Sequence, residues 1–186
     1  MSLRLSGGRR LQSPPGHTAR PTPARVRLAV MNILAPRLAG CRWLDLCCGS
    51  GVMACEALQR GAASVVAVDQ DRRMAAVARA NLEAVQAGLN RTAQVQVHAS
   101  TVELWLRRPA GESFDLIYAD PPYASGIYGA ISALVASGGW LSADGLLVLE
   151  CATGSPPDVP GCWELAEQRR YGTTSLLLLS QTRQSR

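Results

Sequence analysis

Lysine is absent from this 186-residue chain: all 19 of its basic side chains are arginine. Phenylalanine occurs once, histidine twice, and the aromatics together make up 5%. No apolar run approaches the roughly 20 residues that a membrane-spanning helix needs, and the stretch Leu176 to Leu179 is only strand-sized. The Arg- and Gly-rich start of the sequence has no long apolar core, so it does not read as a secretory signal, and a cytoplasmic protein is the expectation. Six cysteines occur, Cys41, Cys47, Cys48, Cys55, Cys151 and Cys162, yet no two form a C-x-x-C pair. With so few histidines beside them they make no obvious zinc site. They read as small buried apolar residues in a reducing compartment, and no metal is expected.

What is present is an ordinary apolar share of 47%, which in this length is enough for one domain with a full core. Charge is placed unevenly. Residues 1–27 hold six Arg and no acid, residues 28–168 nine Arg against fourteen acids, and residues 169–186 four Arg and no acid. Two basic ends therefore flank a mildly acidic body. Such arms often meet phosphate backbones, and on charge alone a solvated tail serves equally well as a reading. The division this suggests is a basic arm over 1–27, with a hairpin turning at Ser6-Gly7-Gly8, and a domain over 28–186.

Beyond a Pro-rich loop, Thr22 is placed to cap a helix with Pro23 as its first residue, and Val26, Val30, Ile33 and Leu34 form its apolar stripe. Arg25 and Arg27 are expected to project from its first turns. Trp43–Cys48 reads as a strand, Gly49-Ser50-Gly51 as a tight turn, and Val52–Gln59 as a helix. Strand Ser64–Val68 ends in Asp69. Helix Asp71–Gly88, strand Ala93–His98, helix Ser100–Leu106, strand Asp115–Asp120, helix Ile127–Val135 and strand Leu146–Glu150 follow. Trp163–Arg169 and Ser175–Ser180 read as an antiparallel pair around Tyr171-Gly172. This alternation predicts an α/β fold of Rossmann-like type: a mostly parallel seven-stranded sheet, helices on both faces, and a C-terminal antiparallel hairpin.

Two constellations carry chemistry. In the first, Gly49 and Gly51 permit a close backbone approach that a Cβ would block. Asp69 stands where an acid accepts from ribose hydroxyls, which argues for an adenosine-containing cofactor. From spacing alone Gly49-x-Gly51-x-x-Ala54 also fits the loose dinucleotide fingerprint, so a nicotinamide oxidoreductase stays open. Against it, Asp45 would repel a pyrophosphate but could receive an ammonium. The second is Asp120-Pro121-Pro122-Tyr123 at the end of an apolar strand. A carboxylate, two prolines without N–H groups and a stacking ring suit a flat heterocycle bearing an exocyclic amine.

In this order, Asp45-x-x-x-Gly49-Ser50-Gly51, Asp69 and Asp120-Pro121-Pro122-Tyr123 resemble the class I S-adenosylmethionine-dependent methyltransferases acting on exocyclic amines. Arg20-Pro21-Thr22-x-x-Arg25-Val26-Arg27, Glu56-Ala57-Leu58, Arg60-Gly61-Ala62 and Tyr171-Gly172-Thr173-Thr174 narrow the resemblance to the RsmD family. That resemblance implies methylation of a guanine N2 amine in small-subunit (16S) ribosomal RNA, as naked RNA or assembling 30S particle, using S-adenosylmethionine; a large RNA substrate makes a monomer the expectation. It implies cofactor contacts at Asp45, Cys47, Gly49, Gly51, Asp69, Gln70 and Ser100. The target base would meet Asp120, Pro121, Pro122 and Tyr123, and RNA would meet Arg20, Thr22, Arg25 and Arg27. Four positions depart from the family pattern: Leu28 for Glu, Ser100 for Asp or Asn, and Cys47-Cys48 for an aromatic-small pair. An N6-adenine methyltransferase and a non-catalytic RNA-binding module remain the other readings, because the same four-residue shelf serves either purine amine and a fold does not fix a function.

Overall fold

A computed structural model describes residues 3–13 and 23–182. Arg20 and Thr22, both expected at the RNA side, lie outside the described residues. Residues 3–11 close a small hairpin, with Leu5 N–H donating to Arg9 O at 2.9 Å and a bridge between Arg4 and Arg10. Its Leu5 and Leu11 are buried in the core. The first helix, α1 (Ala24–Ile33), begins one residue later than expected, because Pro23 keeps an extended ψ of 139° and stands before the helix. The expected arm boundary at residue 27 thus falls inside α1. A short α2 (Ala35–Leu38) follows.

The body alternates as its periodicity predicts: β1 (Arg42–Leu46), α3 (Val52–Gln59), β2 (Ser64–Asp69), α4 (Arg72–Ala87), β3 (Gln94–Ala99), α5 (Val102–Leu106), β4 (Phe114–Ala119), α6 (Tyr128–Gly138), β5 (Leu141–Ala152), β6 (Trp163–Tyr171) and β7 (Thr174–Gln181). The seven strands form one sheet in the order β3-β2-β1-β4-β5-β7-β6. The first five run parallel, and β7 pairs antiparallel with both β5 and β6.

β5 starts at Leu141 rather than at Leu146. Ser142-Ala143-Asp144-Gly145 has turn composition, yet Phe114 pairs with Leu141 and the ladder resumes at Leu116–Leu146 across a bulge. Central strands are apolar on both sides, as a covered parallel sheet requires. One cluster packs α1, α3 and α4 against one face, through Val30, Leu58, Leu82 and Trp43. The other packs α5 and α6 against the opposite face, through Trp105, Ile131, Phe114 and Leu147. Among the described residues no helix is long and apolar enough to cross a membrane, and no group of three or more His, Cys, Asp or Glu could hold a metal ion.

The strand order reverses between β1 and β4. β1 is followed in space by β2 on one side and by β4 on the other, so the carboxyl ends of β1, β2, β4 and β5 open a crevice. The functional groups collect there.

Candidate active site

A cavity of about 550 Å³ opens at these strand ends, a size suited to a cofactor together with part of a second ligand. Six acids line it: Asp45, Asp69, Asp71, Glu103, Asp120 and Glu150. Among the described residues that line it there is no Arg or His.

At one end stands the glycine turn. Gly49 has a φ of +52°, and nothing lies within 4 Å of where its Cβ would be, so its bare backbone faces open space. Its N–H donates to Asp69 Oδ2 at 2.8 Å, and Asp71 N–H donates to Asp69 Oδ1 at 2.9 Å. The ribose-type acid at the tip of β2 is thereby aimed by the turn itself. Gln70 lines the cavity beside it. Gly51, also at positive φ (+75°), is not part of the lining. A Cβ there would come within 2.9 Å of the Ala78 Cβ, so this glycine lets the turn close onto α4. Cys47 takes a φ of +61° without being glycine, and such strain concentrates at sites where the surrounding fold imposes it.

Asp45 is the floor. It is 1% exposed, and its Oδ2 accepts from Ala54 N–H at 3.0 Å near the start of α3. Burial raises its carboxyl well above the usual range, and the charges of Asp120 and Asp69 add to that, while the Ala54 N–H pulls the other way. The Cys47 thiol is likewise pushed up, first by burial and then by Asp69, Asp45 and Asp120. An acid set that disfavours its own charge is a natural receptor for a cation. S-adenosylmethionine carries two positive centres, and it fits: Asp45 would meet the ammonium, Gly49 the chain beside it, and Asp69 the ribose.

Ser100 lies off the cavity. Its N–H donates to Asp69 O at 2.9 Å and its Oγ donates to Thr101 O at 3.0 Å, so both groups are spent on the turn. Val102 and Glu103 of α5 line that side instead. Glu103 is the acid that this side of the cavity offers, and its position just past the Thr101 cap was a signal for helix capping rather than for a ligand.

At the other end stand Asp120, Pro121, Pro122 and Tyr123, all lining the cavity. The β4 strand delivers Asp120, whose N–H reaches Leu46 O at 3.4 Å. A turn of 3-10 helix, Tyr123–Ser125, follows the prolines and leaves Tyr123 43% exposed. Its hydroxyl meets Thr174 Oγ1 at 3.2 Å. The late Tyr171-Gly172-Thr173-Thr174 stretch is the β6–β7 turn, with Gly172 at φ +63°, and it carries Thr174 into the site. Tyr118, Glu150 and Thr174 line this end without having been singled out as site residues. For Glu150 the signal was available: it is an acid closing the apolar run of β5 at its carboxyl end.

The arginines divide. Arg25 is exposed on the first turn of α1, one residue past Ala24. Arg27 does not project: it is 6% exposed, and its Nε pairs with Glu56 Oε1 at 3.1 Å. Its Nη2 also donates to Arg4 O at 2.6 Å. Glu56, 1% exposed, further accepts from Ser6 N–H and Ser6 Oγ. The expected RNA contact at Arg27 is therefore corrected to a clamp that holds the hairpin against α3. Helical spacing turns residue 27 inward beside Val26 and Val30.

The family model described as "Conserved hypothetical protein 95" matches residues 5–180. Ribosomal RNA small subunit methyltransferase D of Escherichia coli is 30% identical over 172 residues, covering 92% of this chain and 84% of its own. The protein of the same name from Haemophilus influenzae is 28% identical, over 92% and 88%. The solved structure of Escherichia coli yhhF superposes with a TM-score of 0.84 at 30% identity, covering 99% of this chain and 100% of that one. The chain belongs to this family, the RsmD family, and is a methyltransferase of the class I fold.

Proposed function

We propose that this chain transfers a methyl group from S-adenosylmethionine to the exocyclic N2 amine of a guanine in small-subunit ribosomal RNA. The observation that supports this most is that the glycine turn and the Asp120–Tyr123 shelf line one cavity. The relatives, ribosomal RNA methyltransferases by name, point to the RNA.

When bound, the cofactor supplies an electrophilic methyl group on a sulfonium. The chain's task is then to place a weak nucleophile in line with it. Asp120 and the Pro121 carbonyl are acceptors only, so each holds one N–H of the amine and turns the nitrogen lone pair toward the cofactor end. As the N–C bond forms and the methyl leaves sulfur, the amine nitrogen gains positive charge, which Asp120 stabilises. That nitrogen then loses its proton to Asp120 or to water. A base within a duplex cannot reach this shelf, so the target is unpaired or flipped, which costs a few kcal/mol. Stacking on Tyr123, about 1–3 kcal/mol per base, offsets much of that.

Arg25, with the basic hairpin behind it, faces the RNA, and the family resemblance assigns Arg20 and Thr22 to the RNA as well. The substrate is the rRNA or the assembling 30S particle, the working unit is a monomer, and the compartment is the cytoplasm. The test is nucleoside mapping of small-subunit RNA from cells with and without this chain. One N2-methylguanosine should disappear with the chain and return when purified protein and cofactor are added to the deficient particles. A lost N6-methyladenosine in its place would refute the guanine reading.

A further inference from the structure

The base end of the cavity holds a second carboxylate that the mechanism above leaves unused. Glu150 stands within the buried run of β5 and is 2% exposed, yet it lines the cavity. Tyr118 Oη donates to Glu150 Oε2, and Tyr128 Oη donates to the Glu150 backbone carbonyl at 3.0 Å. Strand register fixes where this carboxylate stands. Ala119 pairs with Leu149 across β4 and β5, so Asp120 and Glu150 are the next residues along two neighbouring parallel strands, about 4.8 Å apart. Asp45 pairs with Tyr118 on one side, and Ala152 pairs with Thr174 on the other. Asp45, Tyr118, Glu150 and Thr174 therefore share one sheet face, a polar band running from the cofactor floor to the shelf.

A carboxylate accepts and cannot donate. Base-modifying enzymes read an extruded base along its Watson–Crick edge. Guanine offers two adjacent donors there, the ring N1–H and the N2 amine. Adenine offers its amine beside a bare N1 lone pair, which would oppose the carboxylate. We propose that Glu150 reads the ring N1–H while Asp120 holds the amine, so that the two carboxylates together select guanine over adenine. This deepens, and rests on, the guanine reading given above. Tyr118 is the positioning residue that fixes the Glu150 carboxylate.

Glu150→Gln tests it. The variant keeps the size and the oxygen that accepts from Tyr118, but sets an NH2 donor where a second acceptor stood. The full chain is assayed on small-subunit particles carrying either guanosine or 2-aminopurine riboside at the mapped position. 2-Aminopurine keeps the amine and has a lone pair at N1. Wild type should prefer guanosine by on the order of 100-fold in kcat/KM, as a site built for a donor rejects its absence. In the Gln variant this preference should shrink by about tenfold or more, as the new donor meets the N1 lone pair. An unchanged preference, with guanosine still methylated, refutes the role of Glu150 and leaves the guanine reading intact. No methylation of guanosine particles by wild type removes both. Should Glu150→Gln fail to fold, Tyr118→Phe removes the Tyr118 hydrogen bond to the carboxylate without altering the carboxylate itself, and should weaken the same preference by about threefold to tenfold. No change in that variant also counts against the proposal.

Discussion

The two ends of the cavity are assembled in different ways. The cofactor end takes Asp45, Gly49 and Asp69 from one unbroken strand–turn–helix–strand run, and its groups are held by one another: Gly49 N–H on Asp69, Ala54 N–H on Asp45. The base end collects Asp120, Tyr123, Glu150 and Thr174 from β4, β5 and β7, and only the sheet brings them together. Local chain geometry builds the first, and long-range strand pairing builds the second. The two should therefore fail separately when single residues are changed.

Asp120→Ala is the sharpest way to separate them. Turnover should fall by about 10²–10³-fold or more, while calorimetry with S-adenosylhomocysteine should find affinity nearly unchanged. A matching loss of cofactor affinity would mean that the ends are one unit. The hairpin clamp comes next. Arg27→Ala leaves the buried Glu56 without its nearer cation and should cost roughly 3 kcal/mol in denaturant melts. Arg25→Ala should leave stability alone and flatten the salt dependence of RNA binding by about 0.7–0.9 per lost phosphate contact. Equal stability losses for the two variants would erase the distinction between buried and exposed arginine.

Asp45→Asn probes the cofactor end by pH. Its folded-state pKa is raised, so the stabilising protonated form persists above the ordinary value near 4 and is lost as pH rises through the raised one. The ligand-free wild type should thus lose stability over that range, and the neutral Asn should not. At neutral pH the variant should melt a few degrees higher, since about 1 kcal/mol corresponds to 2–4 °C at this size, yet bind the cationic cofactor more weakly. Parallel melting-versus-pH curves would contradict this. The smallest effect belongs to Thr174→Val, which removes the hydrogen bond between Thr174 Oγ1 and the Tyr123 hydroxyl. A net bond of about 1 kcal/mol predicts roughly fivefold lower kcat/KM with RNA and no change in cofactor binding.

The same contrast explains what the sequence could tell. Strand, glycine turn, helix and terminal acid follow within 25 residues of Asp45, so periodicity and spacing located Asp45, Gly49 and Asp69 before any fold was known. Asp120–Tyr123 was legible because an apolar strand ends in an unusual polar run. Glu150 carries the same kind of signal, an acid after an apolar run, but its place in the site, like that of Thr174, depends on β5 and β7 lying beside β4, and strand order is not written in local pattern. Arg27 misled for a related reason: a cation near a basic terminus reads as exposed until Glu56, 29 residues on, is seen to face it. Gly51 was expected at the cofactor from the glycine spacing, and Ser100 from the family resemblance. In the fold Gly51 lets the turn close onto Ala78, and the Ser100 N–H bonds the turn after β3, neither of which local spacing shows.

The last strand of the sheet bears on self-association. β6 is nine residues long, mostly exposed, and forms one border of the sheet. Its outer row of N–H and C=O groups could template another copy. Glu164, Glu167, Arg169 and Arg170 stand along it, and a bulge between Leu165 and Glu167 breaks its flatness. Charge and twist of that kind discourage strand addition. The border farthest from β3 thus guards against fibre-like stacking, and neutralising those four side chains would expose a nine-residue docking rail that no part of the chemistry would miss.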